Sequence, residues 1–276
     1  MRPWGSLVVT CAVFGAIEAG GQRPVPNASL MMSVARYVES YEQQLGAIIG
    51  VEEYTQLVFN AQRMPRRRQL RSEFALVRLP TDDQRWIGIR EVLEVDGRPV
   101  SNRAEHILAL LKLPFGAARD QWRALEEESA RFNIGAIRRT LNTPTFVLLF
   151  VRGDNQHRFQ FDTPRLDGQQ FVVEYRELDR PTFIRDEQGD DEPARGWIRV
   201  DPGSGAITAS RLEVGLARTD VHARIDVRFG RDLKFQLWLP AEMRDQYSAP
   251  SGERVEGTAR YRNFKRFEVD ASWRAR

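Results

Sequence analysis

Cysteine occurs once in 276 residues, at Cys11, and lysine three times, at Lys112, Lys234 and Lys265. Cys11 lies in an amino-terminal segment with the marks of a cleaved leader, so the mature chain is expected to hold no cysteine. That excludes disulfides, thiolate catalysis and cysteine-based metal sites together. Histidine is as sparse: His106, His157 and His222 stand apart with no HxxxH spacing, and no metal site is expected. A GxSxG nucleophile elbow, a GxxxxGKS/T phosphate loop and a GxGxxG dinucleotide turn are missing, and Gly203-Ser204-Gly205 is better explained as a hairpin turn. No catalytic residue and no cofactor is therefore assigned, and a non-enzyme is expected.

A strong charge of one sign is lacking too. The 41 basic residues face 38 acidic ones, for a net charge of +3. The few lysines leave 38 arginines, a skew that a GC-rich genome explains better than phosphate recognition does. The charges are interspersed rather than gathered in a stripe, so nucleic acid is not an expected partner. With 42% hydrophobic and 29% charged residues the chain can bury a core, which rules out wholesale disorder and a polytopic membrane protein.

What is present begins at the amino terminus. Arg2 precedes an apolar run from Leu7 to Ile17, and the small residues Ala19, Gly20 and Gly21 follow. This is a secretory signal pattern, too short for a membrane span, with cleavage after Gly21 or after Ala19. The expected organisation is a signal peptide over 1–21 and a single domain over 22–276, exported to the periplasm, with no membrane span in the mature chain. After a linker with Pro24 and Pro26, the residues Leu30, Val34, Tyr37, Tyr41, Leu45 and Ile48 recur at spacings of four and three. They predict an amphipathic helix, capped by Asn27 or Ser29, that covers a sheet. Asn27-Ala28-Ser29 is also a formal glycosylation sequon, a common chance match beside a capping role.

From Val51 the period changes to two. Leu70, Phe74 and Leu76 form one alternating set, and Ile87, Ile89, Leu93 and Val95 another, with Asp96-Gly97 as the closing turn. Glu91 shares the apolar parity of its strand, which calls for a partner such as Arg71 or Arg90. Arg66, Arg67, Arg68 and Arg71 read as a charged loop between two strands. A helical insertion is expected over about 102–142: Asn102 and Glu105 start one helix, and a second runs through Trp122 and past Gly135 to Leu141. That block suits a lid, a partner surface or a plain insertion.

From Thr145 onward strands are expected almost without a break, beginning with Thr145 to Val151 and ending with Val255 to Val269. Val221, Ala223, Ile225, Val227 and Phe229 alternate with His222, Arg224, Asp226 and Arg228, giving one apolar and one wet face. Short turns make neighbouring strands antiparallel. The acidic stretch Asp186, Glu187, Asp190, Asp191 and Glu192 lacks calcium-loop spacing and reads as a solvated turn.

Certain segments resemble a known group. The exported signal, the amphipathic helix, the meander, Trp197-Ile198-Arg199-Val200-Asp201-Pro202 with Gly205, Leu237-Trp238-Leu239-Pro240-Ala241-Glu242-Met243, and Gly257-Thr258-Ala259-Arg260-Tyr261-Arg262-Asn263-Phe264 together resemble the LolA/RseB-like superfamily of periplasmic lipoprotein carriers and sensors. The stretches Leu70 to Pro80, Trp86 to Val100 and Glu128 to Pro144 resemble a family of uncharacterised exported bacterial proteins. The resemblance implies an α+β fold, a strongly curved antiparallel sheet whose concave apolar face is covered by helices and can hold an acyl chain. The block from Asn102 to Leu141 departs from the carriers, and none of their functional residues has a motif match to carry over.

The expected function is non-catalytic binding of a lipid, lipoprotein or other hydrophobic ligand, with Phe74, Leu76, Ile87, Ile89, Ile225, Val227 and Phe235 lining or filling the concavity. The alternative is an envelope interaction or regulatory module with a filled core, contacting a protein partner through the helical block or the Arg66 to Arg71 segment.

Overall fold

The computed structural model describes residues 27–44, 48–60, 63–78, 86–101, 131–137, 139, 141–186, 188–216 and 218–266. The expected leader, the linker and the first part of the helical block lie outside the described residues. The elements are α1 (Asn27–Gln44), β1 (Ile48–Asn60), β2 (Arg63–Arg78), β3 (Trp86–Val95), β4 (Arg98–Pro99), the short helix α2 (Phe146–Phe150), β5 (Phe159–Phe161), β6 (Arg165–Asp167), β7 (Gln170–Glu177), β8 (Arg195–Val200), β9 (Ile207–Leu216), β10 (Val221–Asp232), β11 (Leu237–Ser248) and β12 (Arg254–Arg266). The strands make one open antiparallel sheet in the order β4-β3-β2-β1-β12-β11-β10-β9-β8-β7-β5, with β6 beside β7. The chain thus builds one wing outward from β1, restarts at the far edge, and meanders back until β12 pairs with β1.

One sheet face is covered. Leu30, Met31, Val34, Val38 and Tyr41 of α1 and Val147, Leu148 and Phe150 of α2 bury themselves against Tyr54, Leu70, Phe74, Val173, Ile198, Leu212, Ile225, Val227 and Met243. The position of α1 is set at several points. At its start the Asn27 side-chain amide donates to the Phe161 carbonyl (3.0 Å), so the sequon asparagine is a structural tie to β5. Gln156 Nε2 donates to the Met31 carbonyl (3.0 Å), and Arg266 Nη2 to the Gln44 carbonyl at the far end (3.1 Å). Midway, the β8–β9 turn closes against the helix. There Asp201 Oδ1 accepts from the Ser204 N–H and hydroxyl, and Gly205 adopts φ +73° with its α-carbon against the Ser33 carbonyl.

On the opposite face Ala75, Ile89 and Glu91 are buried at the β2–β3 wing, and across the middle of the sheet cross-strand neighbours alternate in charge. In register across the sheet run Glu94, Arg71, Glu53, Arg260, Glu242 and Arg228. Arg71 meets Glu94 at 2.7 Å, and Glu242 gathers Arg244 (2.9 Å), Arg228 (3.3 Å) and Arg260 (3.7 Å). The many arginines and the near-zero net charge are two aspects of this lattice of pairs.

Four expectations change, besides Ile48, which the spacing counted in the helix but which opens β1. Thr145 to Val151 is not a strand: Phe146–Phe150 is helical, because an apolar run without alternation carries no period to decide between the two. Its Phe150 ring packs against Phe159 (4.8 Å), Phe183 (5.5 Å) and Tyr175 (5.7 Å). The expected helix through Gly135 to Leu141 is also absent, since the described residues from Arg131 to Leu141 form turns and irregular chain. Gly135 sits at φ +98°, and the N–H groups of Ile134, Ala136 and Ile137 donate to the Gln56 and Glu253 side chains instead of helical carbonyls. Third, Arg66, Arg67 and Arg68 lie within β2 rather than in a loop. Fourth, the acidic turn is closed rather than merely solvated, with Asp186 and Asp190 both on Arg218 (3.1 and 2.7 Å) and Glu192 buried.

Replacing Gly205 by alanine places a Cβ 2.5 Å from the Ser33 carbonyl oxygen, on a backbone where φ is already unfavourable for an L side chain. Gly205→Ala should lower stability by about 1–3 kcal/mol in urea titration. Gly203→Ala, two residues away with its nearest neighbour at 3.5 Å, should stay within about 0.5 kcal/mol of the parent.

Candidate functional site

Strand β1 inverts the usual rule of alternation. Its buried parity carries Ile48, Glu52, Tyr54, Gln56 and Val58, so polar groups enter the covered face at the centre of the sheet. Register places Tyr261 beside Glu52, Ala259 beside Tyr54 and Gly257 beside Gln56 on one side, and Ser72 and Leu70 beside Glu52 and Tyr54 on the other. Asp245 faces Gly257 from β11, and Arg90 lies opposite Phe74 on β3. The result is a buried polar cluster under the described residues of 131–142.

Glu52 and Arg90 form a two-point pair through Nε–Oε2 and Nη2–Oε1, the latter 2.7 Å. Burial disfavours a charged guanidinium, but the Glu52 carboxylate more than offsets it and holds Arg90 protonated beyond its ordinary range. Arg90 also lies over the Tyr54 and Phe74 rings (5.7 and 6.0 Å) and donates to the Asn142 carbonyl (3.3 Å). Tyr54 donates to Asp245 Oδ2 (2.7 Å). No Cβ fits at position 257, because Asp245 Oδ1 and the Tyr54 hydroxyl occupy that space. The glycine of the closing Gly257 to Phe264 stretch is what admits this pair.

Arg139 ties the covering segment down. It is 2% exposed, among the largest fully buried side chains of the described residues. Its Nη1 donates to the Tyr54 hydroxyl (3.3 Å), and its Nη2 to Gln56 Oε1 (2.6 Å) and the Ile134 carbonyl (3.2 Å). Gln56 Oε1 also accepts from the Ile134 N–H (3.0 Å), and Arg68 donates to the Phe132 carbonyl (3.1 Å). Glu253 Oε1 takes the N–H groups of Ala136 and Ile137 at 2.6 and 3.2 Å. Ile134 and Ile137 themselves sink into a second apolar cluster with Val58, Val221, Ala223, Tyr247 and Val255. Burial raises the Asp245 carboxyl above the ordinary aspartate range, although Tyr54, Arg139 and Arg90 all pull the other way. Asp245 Oδ1, Arg139 Nε and the Tyr247 hydroxyl are buried without a hydrogen-bond partner.

The groove residues read from the sequence divide. Phe74 (2% exposed), Ile225 and Val227 (each 3%) lie on the covered face as part of a filled core, and Phe235 is half-buried at its edge. Leu76 and Ile87 belong to β2 and β3, and their side chains lie outside the described residues. Ile89 is buried on the other face: it pairs with Ala75, not with Phe74, and Ile87 shares its register parity. The cause is a register shift between Arg71 and Ser72, which inserts Leu93 as an extra residue and breaks the apparent run of Ile87, Ile89, Leu93 and Val95. Arg90 and Glu91 are neighbours in β3 and point to opposite faces; the shift puts Arg90 on the covered face, where it serves Glu52, while Arg71 serves Glu94. His157 and His222 are exposed, away from the cluster.

Sequence reasoning passed over Glu52, Tyr54, Gln56, Arg139 and Asp245. Tyr54 and Asp245 are 191 positions apart, and Tyr54 and Arg139 are 85, so no local spacing joins them. The available signal was the strict alternation of β1 with polar residues on one parity.

No family profile and no curated protein matches the sequence. Among solved structures the chain is similar to a LolA superfamily protein from Nitrosomonas europaea, at 9% identity and a TM-score of 0.36, over 88% of this chain and 96% of that one. It is also similar to a DUF1329 family protein from Desulfovibrio piger, at 10% identity and a TM-score of 0.37, over 89% and 94%.

A carboxyl whose pKa is raised by folding favours the folded state most at low pH, and that contribution is lost as pH rises through its folded value. Asp245→Asn removes the titration while keeping an acceptor for Tyr54. The stability of Asp245→Asn relative to the parent should therefore increase from pH 4 to pH 8 in urea titrations. A difference that is flat with pH would show that Asp245 is not strained by its burial.

Proposed function

We propose that this chain is an exported, non-catalytic cell-envelope protein that takes a lipid, lipoprotein or other hydrophobic ligand on the covered face of its sheet, with 131–142 as the part of the cover that yields. The carrying observation is how that segment is held. Ile134 and Ile137 occupy an apolar cluster of the sheet, yet the segment is tied there through Arg139, Gln56, Glu253 and Arg68. An apolar ligand replacing the two isoleucines exchanges one buried apolar occupant for another, each contributing about 1.5–3 kcal/mol, so the occupancy itself changes little. What must be broken are hydrogen bonds, each contributing about 1 kcal/mol net and each able to re-form with water.

Binding on this view is displacement, because Phe74, Ile225 and Val227 already fill the interior. An open sheet of twelve strands with its main core on one side is expected to coil around that side, which fits the curved shape implied by the sequence resemblance. The leader pattern over 1–21 supports export. Of the residues named from the sequence, Phe74, Ile225, Val227 and Phe235 remain the candidates for ligand contact.

The filled interior favours a second reading, an envelope interaction or regulatory module. Its contact surface would be the tip of β1 and β2, where Met64 is 86% exposed beside exposed Arg66 and Arg67.

Organic extraction and mass spectrometry of protein purified from the periplasm with its own leader, beside a mock purification, decides between them. Stoichiometric lipid on a processed chain is the expected result; a processed chain without lipid would favour the module. Separately, Arg139→Met should cost about 3 kcal/mol by leaving Gln56 and Ile134 short of donors. It should also speed hydrogen exchange at Ile134, Ala136 and Ile137 more than at β10 or β11 amides.

A further inference from the structure

At the carboxy-terminal end of α1 lies a surface depression of about 460 Å³ lined by Gln43, Gln44, Lys234, Phe235 and Arg266. Two cations flank one ring there: Lys234 Nζ is 5.2 Å and Arg266 Cζ 5.6 Å from the Phe235 centroid. Among the described residues neither cation meets a carboxylate, in contrast to the paired arginines of the opposite sheet face. Asp232, in the same turn, is engaged with the backbone. Its Oδ1 accepts the N–H groups of Lys234 (2.9 Å) and Phe235 (3.1 Å), which fixes the turn that presents both side chains. The Asp232 carboxylate and the end of α1, with a partial negative charge of roughly one half, together carry less charge than the two cations, and Arg266 already donates to the Gln44 carbonyl. The depression therefore stays positive.

Its one apolar lining residue reaches the core: Phe235 is half-buried and packs against the main apolar cluster beneath α1. Two cations held close without an anion, at the mouth of an apolar layer, match an amphiphile with a negatively charged head. Resting on the ligand-binding reading above, we propose that this depression seats the anionic head group, a carboxylate or phosphate, of an amphiphile whose apolar part enters the covered face. Lys234 and Arg266 hold the head over the Phe235 ring, and Gln43 and Gln44 offer further donors.

The test is fluorescence titration of the full-length mature protein with 11-(dansylamino)undecanoic acid and with its uncharged methyl ester. The parent should bind the acid more tightly than the ester. Lys234→Gln combined with Arg266→Gln should weaken the acid about tenfold and leave the ester unchanged, the size expected for losing charge-assisted bonds to one anion. Lys234→Gln alone, which leaves the α1 cap intact, should give part of that loss. Arg231→Gln, which alters a cation bonded to Gln236 on the same turn outside the depression, should change neither. Ester binding without preference for the acid, or equal losses for both probes in the double variant, would overturn the head-group seat while leaving the ligand-binding reading standing. Failure of both probes to bind the parent would overturn both. Octyl phosphate should compete better than inorganic phosphate; equal competition would mean a seat for a free anion and would sink the amphiphile.

Discussion

Everything in this structure depends on β1 meeting β12. The first strand and the last form the seam of the sheet, and until they pair, the β1 to β4 wing and the β5 to β12 meander are separate layers with half-exposed faces. The same seam assembles the buried cluster. Glu52, Tyr54 and Gln56 arrive on β1, Gly257 and Tyr261 on β12, and Asp245 on β11, and the Tyr54 to Asp245 bond spans the seam. A pairing of such long sequence separation carries a large loop-closure cost, so formation of this seam belongs late in folding.

Register at the seam is guarded from both sides. On the covered face a slip by one residue would drive Glu53 and Thr55 inward and expel Tyr54 from its place beside Gly257. On the opposite face the row from Glu94 to Arg228 would lose its opposite-sign neighbours. Each exposed pair contributes well under about 1 kcal/mol, too little for the row to be a major source of stability. Its value lies in what the wrong alignments would cost, with like charges set against one another along several strands.

Much of the fold was legible in the residues because regular alternation survives local noise. The α1 stripe from Leu30 to Tyr41, the hairpins from β8 to β12 and the turns at Asp96-Gly97 and Asp201 to Gly205 all stand where periodicity and turn chemistry put them. What was not legible has a common cause, a local irregularity that resets the count. One inserted residue on β3 moves Ile89 to the far face and turns Arg90 inward, and Gly135 at a positive φ converts an apparent helix into a polar strap. The site followed suit, since its members are polar residues on a parity that hydrophobic reasoning ignores, and Arg139 and Asp245 reach it only through tertiary structure.

Among the described residues the two margins of the sheet differ. On one side β4, the exposed Arg98 and Pro99, pairs only with Glu94 and Val95, so most of β3 is the margin, and on the other side it is β5, three residues long, with the short β6 beside β7. A wide sheet that does not close offers unpaired backbone at its borders, an invitation for another chain to extend it. Here the far border is too brief to hold a visiting strand in register, whereas the proline of β4, which cannot donate, guards only the last two residues of β3.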